Sequence, residues 1–149
     1  MDNARTIKLL QELVDSCRDG QNGYRDAADH VTDSHLREFF NQQSLVRAGF
    51  AGELEQEIIR LGNVDPSTSG SAAAGIRRAW IDFKSELGGG DVTILASVES
   101  AEGRAKAVFE RGLEESSLPR DLATVIRRQL TSIAAAHDHI RSLRDAKAA

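Results

Sequence analysis

The chain has 149 residues, of which 40% are hydrophobic and 28% charged, with two prolines and a formal net charge of −4. This length suits one globular domain with a single core, and the scarcity of proline favours long helices. Acidic and basic residues are interleaved, so the sequence lacks the electrostatic footprint of a protein that binds nucleic acid or an anionic membrane. The single cysteine, Cys17, excludes an internal disulfide and a multi-cysteine metal cluster. Neither a signal-peptide core nor an 18-residue apolar run occurs, so we expect a cytoplasmic protein.

The first part of the chain predicts a helical hairpin. A helix is expected from about Arg5 to Val31, because apolar residues recur there every three and four positions. Thr32-Asp33-Ser34 offers turn and N-cap chemistry. A second helix should follow to Leu61, with Gly62 as its C-terminal stop.

A crossover segment comes next. Residues 62–71 consist of turn-forming residues and predict an exposed loop, and a shorter helix should follow from about Ala72 to Leu87. Trp80 and Phe83 lie on one side of this helix. Because it covers only part of a bundle, we expect the two aromatic residues either to seal one side of the protein or to form a dimer contact.

The remaining sequence predicts a second hairpin. Asp91 is expected to cap a helix that runs to about Glu115, and Ser116-Ser117-Leu118-Pro119 should start the last helix, which continues to about Arg144. The crossover is long enough to travel the length of the bundle. The second and third long helices are therefore predicted to be parallel, and the fold class is all-α.

Two polar residues, Glu102 and His137, interrupt the apolar stripes of the second hairpin. The stripes are Leu95, Val98, Glu102, Ala105, Phe109 and Leu130, Ile133, His137, Ile140. This alternation of three- and four-residue spacing is typical of a buried helix face, so both polar side chains are expected to point inward.

Polar residues of the first hairpin are expected at the same height. If the long helices run up, down, down and up at about 1.5 Å per residue, then Gln21, Gln43 and Glu102 lie nearly level. Arg47 lies about one turn lower. The sequence therefore predicts a polar layer in the middle of the bundle.

Four segments carry a resemblance to a known group of proteins: Asp19-Gly20-Gln21-Asn22-Gly23-Tyr24, Ala79-Trp80-Ile81-Asp82-Phe83-Lys84, Glu99-Ser100-Ala101-Glu102-Gly103 and Ala136-His137-Asp138-His139-Ile140. Their order and spacing resemble an uncharacterised bacterial family of ferritin-like four-helix-bundle proteins that is distantly similar to rubrerythrin. The resemblance covers nearly the whole chain. It implies a single domain over residues 1–149, a ferritin-like four-helix bundle with one long crossover that contains a short fifth helix.

The resemblance also implies where metal ligands would lie. Metal-active relatives place a glutamate seven residues before a tyrosine on the first helix, where this chain has Cys17 before Tyr24. They place a Glu-x-x-His pair on the second helix, where this chain has Arg47 and Phe50. A carboxylate-bridged di-iron site needs ligands from all four helices, so most of the expected set is absent.

Glu99, Glu102 and His137 are the candidate metal ligands that remain, with iron as the possible metal. The alternative is that Glu102 belongs to a structural polar layer, neutralised by Arg47 and hydrogen-bonded by the amides of Gln21 and Gln43. We favour this alternative because acidic side chains are almost never buried without a partner. For His137, a hydrogen-bonded core histidine is favoured, because the glutamate expected three residues before it is replaced by Ala134.

Two functional hypotheses follow. The preferred one is a bundle that has lost its metal, needs no cofactor, is not an enzyme, and acts through self-association, as a homodimer, or through a protein partner. The resemblance adds a possible stress-related role. The rival hypothesis is an iron-binding or other metal-binding oxidoreductase with a reduced carboxylate and histidine site.

Overall fold

The computed structural model of the protein describes residues 2–62, 71–115 and 117–148, without the side chains of 71–77. These residues form helices and turns and contain no strand, which confirms the all-α prediction. The helices are α1 (Asn3–His30), α2 (Ser34–Arg60), α3 (Ser71–Ser85), α4 (Asp91–Leu113) and α5 (Arg120–Ala148). Most of the predicted loop at 62–71, namely residues 63–70, lies outside the described residues, as does Ser116 of the predicted second turn.

The ends of the helices follow local capping chemistry. The Asp33 carboxylate accepts hydrogen bonds from the backbone N–H groups of His35 (2.8 Å) and Leu36 (3.3 Å), so it is the N-cap of α2 as predicted. Gly62 ends that helix with a φ of 100°, a conformation that favours glycine. The last helix extends beyond the predicted end at Arg144 to Ala148.

The prediction that Asp91 caps α4 is wrong. Gly90, with a φ of 91°, is the N-cap residue, and Asp91 is the first residue of the helix. The Asp91 carboxylate instead accepts hydrogen bonds from the backbone N–H of Thr32 (2.8 Å), the Thr32 hydroxyl (3.0 Å) and the backbone N–H of Asp33 (3.1 Å). An acidic residue at a helix start is favourable to the helix dipole, and here it also joins α4 to the turn between α1 and α2.

These contacts fix the helix directions. The end of α1, the start of α2 and the start of α4 meet at the Thr32–Asp33 turn, and Lys147 near the end of α5 contacts Asp33 (Nζ to Oδ2, 2.8 Å). Helices α1 and α5 therefore run in one direction, and α2 and α4 run in the other. The predicted parallel orientation of the second and third long helices is confirmed.

The short helix α3 lies against α1 and α4, while α1 packs mainly on α2 and α4 mainly on α5. Trp80 and Phe83 of α3 are 5% and 1% exposed, with ring centroids 5.3 Å apart. The Trp80 ring rests on Gly23 of α1, where a β-carbon would overlap it. The two aromatic residues therefore seal one side of the bundle. None of the described helices is long and apolar enough to span a membrane.

Candidate functional site

An ion pair between Arg47 of α2 and Glu102 of α4 lies in the middle of the bundle. The two side chains are 1% and 0% exposed, and the Arg47 Nη2 group donates to Glu102 Oε2. The hydroxyl of Tyr24, a fully buried residue of α1, donates to the same carboxylate oxygen at 2.6 Å. Three helices thus meet at one carboxylate, which we call the central ionic layer (Tyr24, Arg47 and Glu102).

The neighbours of Arg47 make room for its large side chain. A β-carbon at Gly20 would lie 3.0 Å from Arg47 Nη1, so a residue with a side chain there would press on the guanidinium group. The Arg47 Cζ atom lies 5.5 Å from the centroid of the Tyr24 ring, within the range of a cation–π interaction. Glycine inside a helix costs about 1 kcal/mol relative to alanine. The space at Gly20 is therefore linked to the accommodation of a buried arginine.

Burial and charge determine the protonation states in this layer. Burial raises the pKa of the Tyr24 hydroxyl well above its usual value, and the Glu102 carboxylate raises it further, so the hydroxyl remains a donor. Burial alone would lower the pKa of Arg47, but the charge of Glu102, the hydrogen bond to Glu102 and the contributions of Tyr24 and Cys17 together outweigh this and raise the pKa above its usual value. The layer therefore holds a permanent cation against the carboxylate.

Cys17 lies beside this layer and is fully buried. Burial raises the pKa of its thiol to about 12 although the nearby Arg47 opposes the shift, so the thiolate is scarce near neutral pH. Because the thiolate is the nucleophile and the metal ligand, Cys17 behaves as a small buried apolar residue.

The other two candidate ligands lie toward α5. Arg144 Nη1 lies 2.5 Å from Glu99 Oε1, and Arg141 Nε lies 3.7 Å from Glu99 Oε2, so this carboxylate is neutralised by two arginines. The His137 side chain is 12% exposed and its Nδ1 lies 3.3 Å from Asp138 Oδ1. Its ring faces Gly103, which is the residue after Glu102. A β-carbon built at Gly103 would lie 3.7 Å from His137 Nε2. His137 thus lies at the height of the central ionic layer, but its hydrogen-bonding partner, Asp138, lies on the surface of the bundle with its side chain 70% exposed.

The two glutamines do not provide the predicted amide donors. Gln21 accepts a hydrogen bond from Arg18 Nη1 at 3.1 Å and is only partly buried. The Oε1 atom of Gln43 is buried without a hydrogen-bond partner. A third glutamine, Gln129 of α5, is fully buried and donates to Glu53 Oε1 at 2.8 Å. Helix periodicity gives the height of a residue, but the direction of a long amide side chain depends on its neighbours.

The donor set does not fit the di-iron site that the resemblance implies. Arg47 and Phe50 replace the expected ligands of α2, and Arg47 already occupies the Glu102 carboxylate. Among the residues that the structure describes, no three His, Cys, Asp or Glu side chains converge so that they could hold a metal ion.

Tyr24 is the partner that sequence analysis missed, although a signal for it exists. Tyr24 falls on the apolar stripe of the first helix, about one turn beyond Gln21 and therefore close to the height of Glu102. A tyrosine at a fully buried position usually hydrogen-bonds through its hydroxyl group. An inward tyrosine near the height of an inward acid therefore predicts their contact.

These features define an all-helical bundle protein with a buried ionic layer. The sequence of residues 5–115 matches the family described as a domain of unknown function (DUF2383), and the chain belongs to this family. The matched segment includes all three residues of the central ionic layer and ends before α5. No curated protein matches the chain.

Proposed function

We propose that the protein is a metal-free, ferritin-like bundle that is not an enzyme and acts in the cytoplasm through protein association. The observation that supports this proposal most is the Arg47–Glu102 pair, in which a guanidinium group lies where the family resemblance would place a glutamate ligand. A guanidinium group neutralises the carboxylate without a metal ion. It also opposes a divalent cation in the same place, because like charges at short range in a buried site repel strongly.

The rest of the layer supports the same proposal. Tyr24 donates to the carboxylate oxygen that Arg47 contacts, and the thiol of Cys17 remains protonated. The family resemblance suggests a stress-related role, and we propose this role for the bundle. The functional surfaces must then lie on the outside of the bundle.

The rival proposal, a metal-binding oxidoreductase with Glu99, Glu102 and His137, makes a different prediction about metal content. We expect the full-length protein, purified without chelators, to contain far less than one iron, manganese or zinc ion per chain by elemental analysis. Glu102→Leu should leave this small content unchanged, and so should the control Glu110→Leu, which changes an exposed glutamate of the same helix. A content of about one ion or more per chain, lost in Glu102→Leu and kept in Glu110→Leu, would establish the rival.

Denaturation adds a readout that does not depend on purification history. A metal ion that binds only the native state raises the free energy of unfolding in proportion to the logarithm of its concentration. We expect added Fe(II), Mn(II) or Zn(II) to leave the urea midpoint of the wild-type protein unchanged. A concentration-dependent rise that disappears in Glu102→Leu would count against a metal-free bundle.

A further inference from the structure

The outer face of α2 carries two apolar residues that the described structure leaves largely exposed. Leu45 is 69% exposed and Ile59 is 45% exposed. Both belong to a stripe of residues separated alternately by four and three positions on the side of α2 that faces away from the core. The stripe, which we call the outer α2 stripe, is Glu38, Gln42, Leu45, Gly49, Gly52, Gln56 and Ile59.

Such spacing is the heptad repeat by which one helix packs against another. The inner face of α2 already serves this purpose for the bundle, with Leu36, Phe40, Leu54 and Ile58 buried. A surface helix that needs only one apolar face would carry polar residues on the outer side. The outer α2 stripe departs from such a polar surface at four of its seven positions, which are two exposed apolar residues and two glycines.

Two glycines lie in the centre of this stripe without an intramolecular reason. A β-carbon at Gly49 or Gly52 would meet nothing within 4 Å, whereas β-carbons at Gly20 and Gly23 would press on Arg47 and Trp80. Replacing alanine by glycine at an exposed helical position lowers the equilibrium constant for helix formation by about fivefold. A helix from another molecule that approaches closely at this point would explain both residues.

The charges on the helix indicate which molecule this is. Glu38 and Arg60 lie eleven residues on either side of Gly49, and both are exposed. Arg60 contacts Glu57 of its own helix (Nη1 to Oε2, 3.1 Å), but its side chain is 69% exposed and can reach a second carboxylate. If a second copy of α2 packs antiparallel about a two-fold axis at Gly49, Glu38 of each copy lies opposite Arg60 of the other. A parallel arrangement would instead put Glu38 opposite Glu38 and Arg60 opposite Arg60. Charge complementarity thus favours the antiparallel pair.

The same register places the apolar residue where there is room for it. In this register Leu45 of one copy lies level with Glu53 of the other copy. The Leu45 side chain then enters the space bounded by Gly49, Gly52 and Gln56 of that other copy. Because glycines line this space, the two helices approach closely and the leucine is covered. This arrangement is isologous, as expected for a two-fold dimer.

We propose that the protein forms an antiparallel homodimer through the outer α2 stripe, so that the partner in the association proposed above is a second copy of this chain. The inference rests on that proposed function and specifies its surface. The dimer buries Leu45, pairs Glu38 with Arg60 twice and leaves the central ionic layer unchanged.

Sedimentation equilibrium of the full-length protein tests the surface. We expect the wild type to be dimeric at micromolar concentrations, and Leu45→Lys to raise the dissociation constant by about a hundredfold or more, because it buries two charges in an apolar contact. The matched control is Ile81→Lys, which changes an isoleucine of α3 that is 60% exposed and outside the stripe, and which should leave the dimer intact. A monomeric wild type, or a dimer that Leu45→Lys does not weaken, would overturn the inference.

Charge exchange tests the orientation. Glu38→Arg and Arg60→Glu should each weaken the dimer by about tenfold, since each places like charges opposite one another twice. The double variant should associate nearly as well as the wild type. Weakening in the singles without recovery in the double would rule out the antiparallel register.

Glycine replacement tests the close approach through two effects of opposite sign. Gly49→Ala and Gly52→Ala should raise the thermal midpoint of the dilute protein because alanine favours helix, and should raise the dissociation constant of the dimer because the added methyl group separates the helices. If the surface were merely solvated, the midpoint would rise and the association would not change, which would contradict the inference.

The outcomes separate this inference from the proposed function. A metal-free monomer would refute the α2 dimer and leave the metal-free bundle standing. One metal ion per chain that depends on Glu102 would refute the metal-free bundle whether the protein is a dimer or not. A dimer disrupted by Ile81→Lys rather than by Leu45→Lys would transfer the association to α3 and refute the α2 surface.

Discussion

Among the ionic contacts that join helices, two groups differ most in their exposure to solvent, one in the middle of the bundle and one at its end. In the middle, Arg47 and Glu102 have side chains that are 1% and 0% exposed. At the end, Lys147 and Asp33 have side chains that are 31% and 29% exposed, and Asp91 completes this group by binding Thr32. In both places a carboxylate lies between a cation and hydrogen-bond donors. The two places differ in how far solvent reaches the charged groups.

This difference in solvent exposure changes how strongly each charge depends on its partner. Inside the bundle, either charge without its partner is left in a medium that solvates it poorly, so the pair must be kept or lost as a whole. At the bundle end, water solvates each charge when its partner is removed, and salt screens their attraction. We therefore expect the central ionic layer to constrain how α1, α2 and α4 pack, and the end group to hold helix termini in place with a smaller contribution that depends on salt and pH.

The largest expected effect comes from breaking the central pair on one side. Arg47→Met should lower the free energy of unfolding by about 3–5 kcal/mol, because Glu102 is left buried without its cation. The double variant Arg47→Met with Glu102→Leu should recover much of this loss, because two apolar side chains of similar volume need no partners. Urea denaturation of both singles and the double gives the coupling energy directly.

The control for this double-mutant cycle is the partly exposed pair of Lys147 and Asp33 at the end of the bundle. Lys147→Met should be far less destabilising than Arg47→Met, because Lys147 loses a partner in solvent. Losses from Arg47→Met and Glu102→Leu that simply add, with no recovery in the double, would show that the two residues do not depend on each other.

A second, smaller effect is expected at Tyr24. Tyr24→Phe removes only the hydroxyl group, and the ring contacts with Phe40 and Trp80, both at centroid distances of 5.8 Å, can remain. Loss of a hydrogen bond to a charged group should lower the free energy of unfolding by about 1.5–3 kcal/mol. In a Glu102→Leu background the same change should have little effect, since the acceptor is absent. Equal losses in the two backgrounds would mean that the hydroxyl acts through some other contact.

The smallest effect is expected at the bundle end, where it should depend on pH. The hydrogen bond from Lys147, followed by those from the backbone N–H groups of Leu36 and His35, lowers the pKa of Asp33 to about 2. A lowered carboxyl pKa contributes stability above the ordinary aspartate pKa, and this stability is lost as the pH falls toward 2. The pKa of Lys147 is raised, mainly by the same hydrogen bond, so its contribution is lost only as the pH rises through that raised value.

Urea midpoints of the wild type and Lys147→Met between pH 7 and pH 2 measure this contribution. The wild type should be slightly more stable at pH 7, and the difference between the two proteins should shrink steadily as the pH falls toward 2, where Asp33 of the wild type becomes half protonated. High salt should reduce the difference at pH 7. A difference that stays constant over this pH range would indicate that Lys147 stabilises the protein through its aliphatic stem rather than through Asp33.

Much of the fold could be predicted because it depends on local signals. Apolar periodicity placed four long helices and one short helix within a few residues of their observed bounds, and Asp33 and Gly62 marked helix ends through chemistry that is visible in the sequence. The contact between Arg47 and Glu102 could be predicted as well, because helix direction and rise per residue convert sequence position into height.

The remaining features depend on contacts between distant parts of the chain. Asp91 has the local signature of an N-cap, but it binds a turn 59 residues earlier, and no periodic pattern encodes that contact. Gln21 has the right height for the central ionic layer, yet its amide accepts from Arg18 instead. Height and face are properties of the helix backbone, whereas the last few ångströms are determined by side-chain rotamers and neighbours.

The packing of the Trp80 ring against Gly23 has a practical consequence. Trp80 is the single tryptophan of the chain, and its ring also lies beside Tyr24. Indole emission depends strongly on contact with water, so the fluorescence of this residue reports whether α3 is docked on α1. Far-ultraviolet circular dichroism reports total helix content instead. The protein thus carries an intrinsic, label-free probe that distinguishes detachment of the crossover helix from unfolding of the whole bundle.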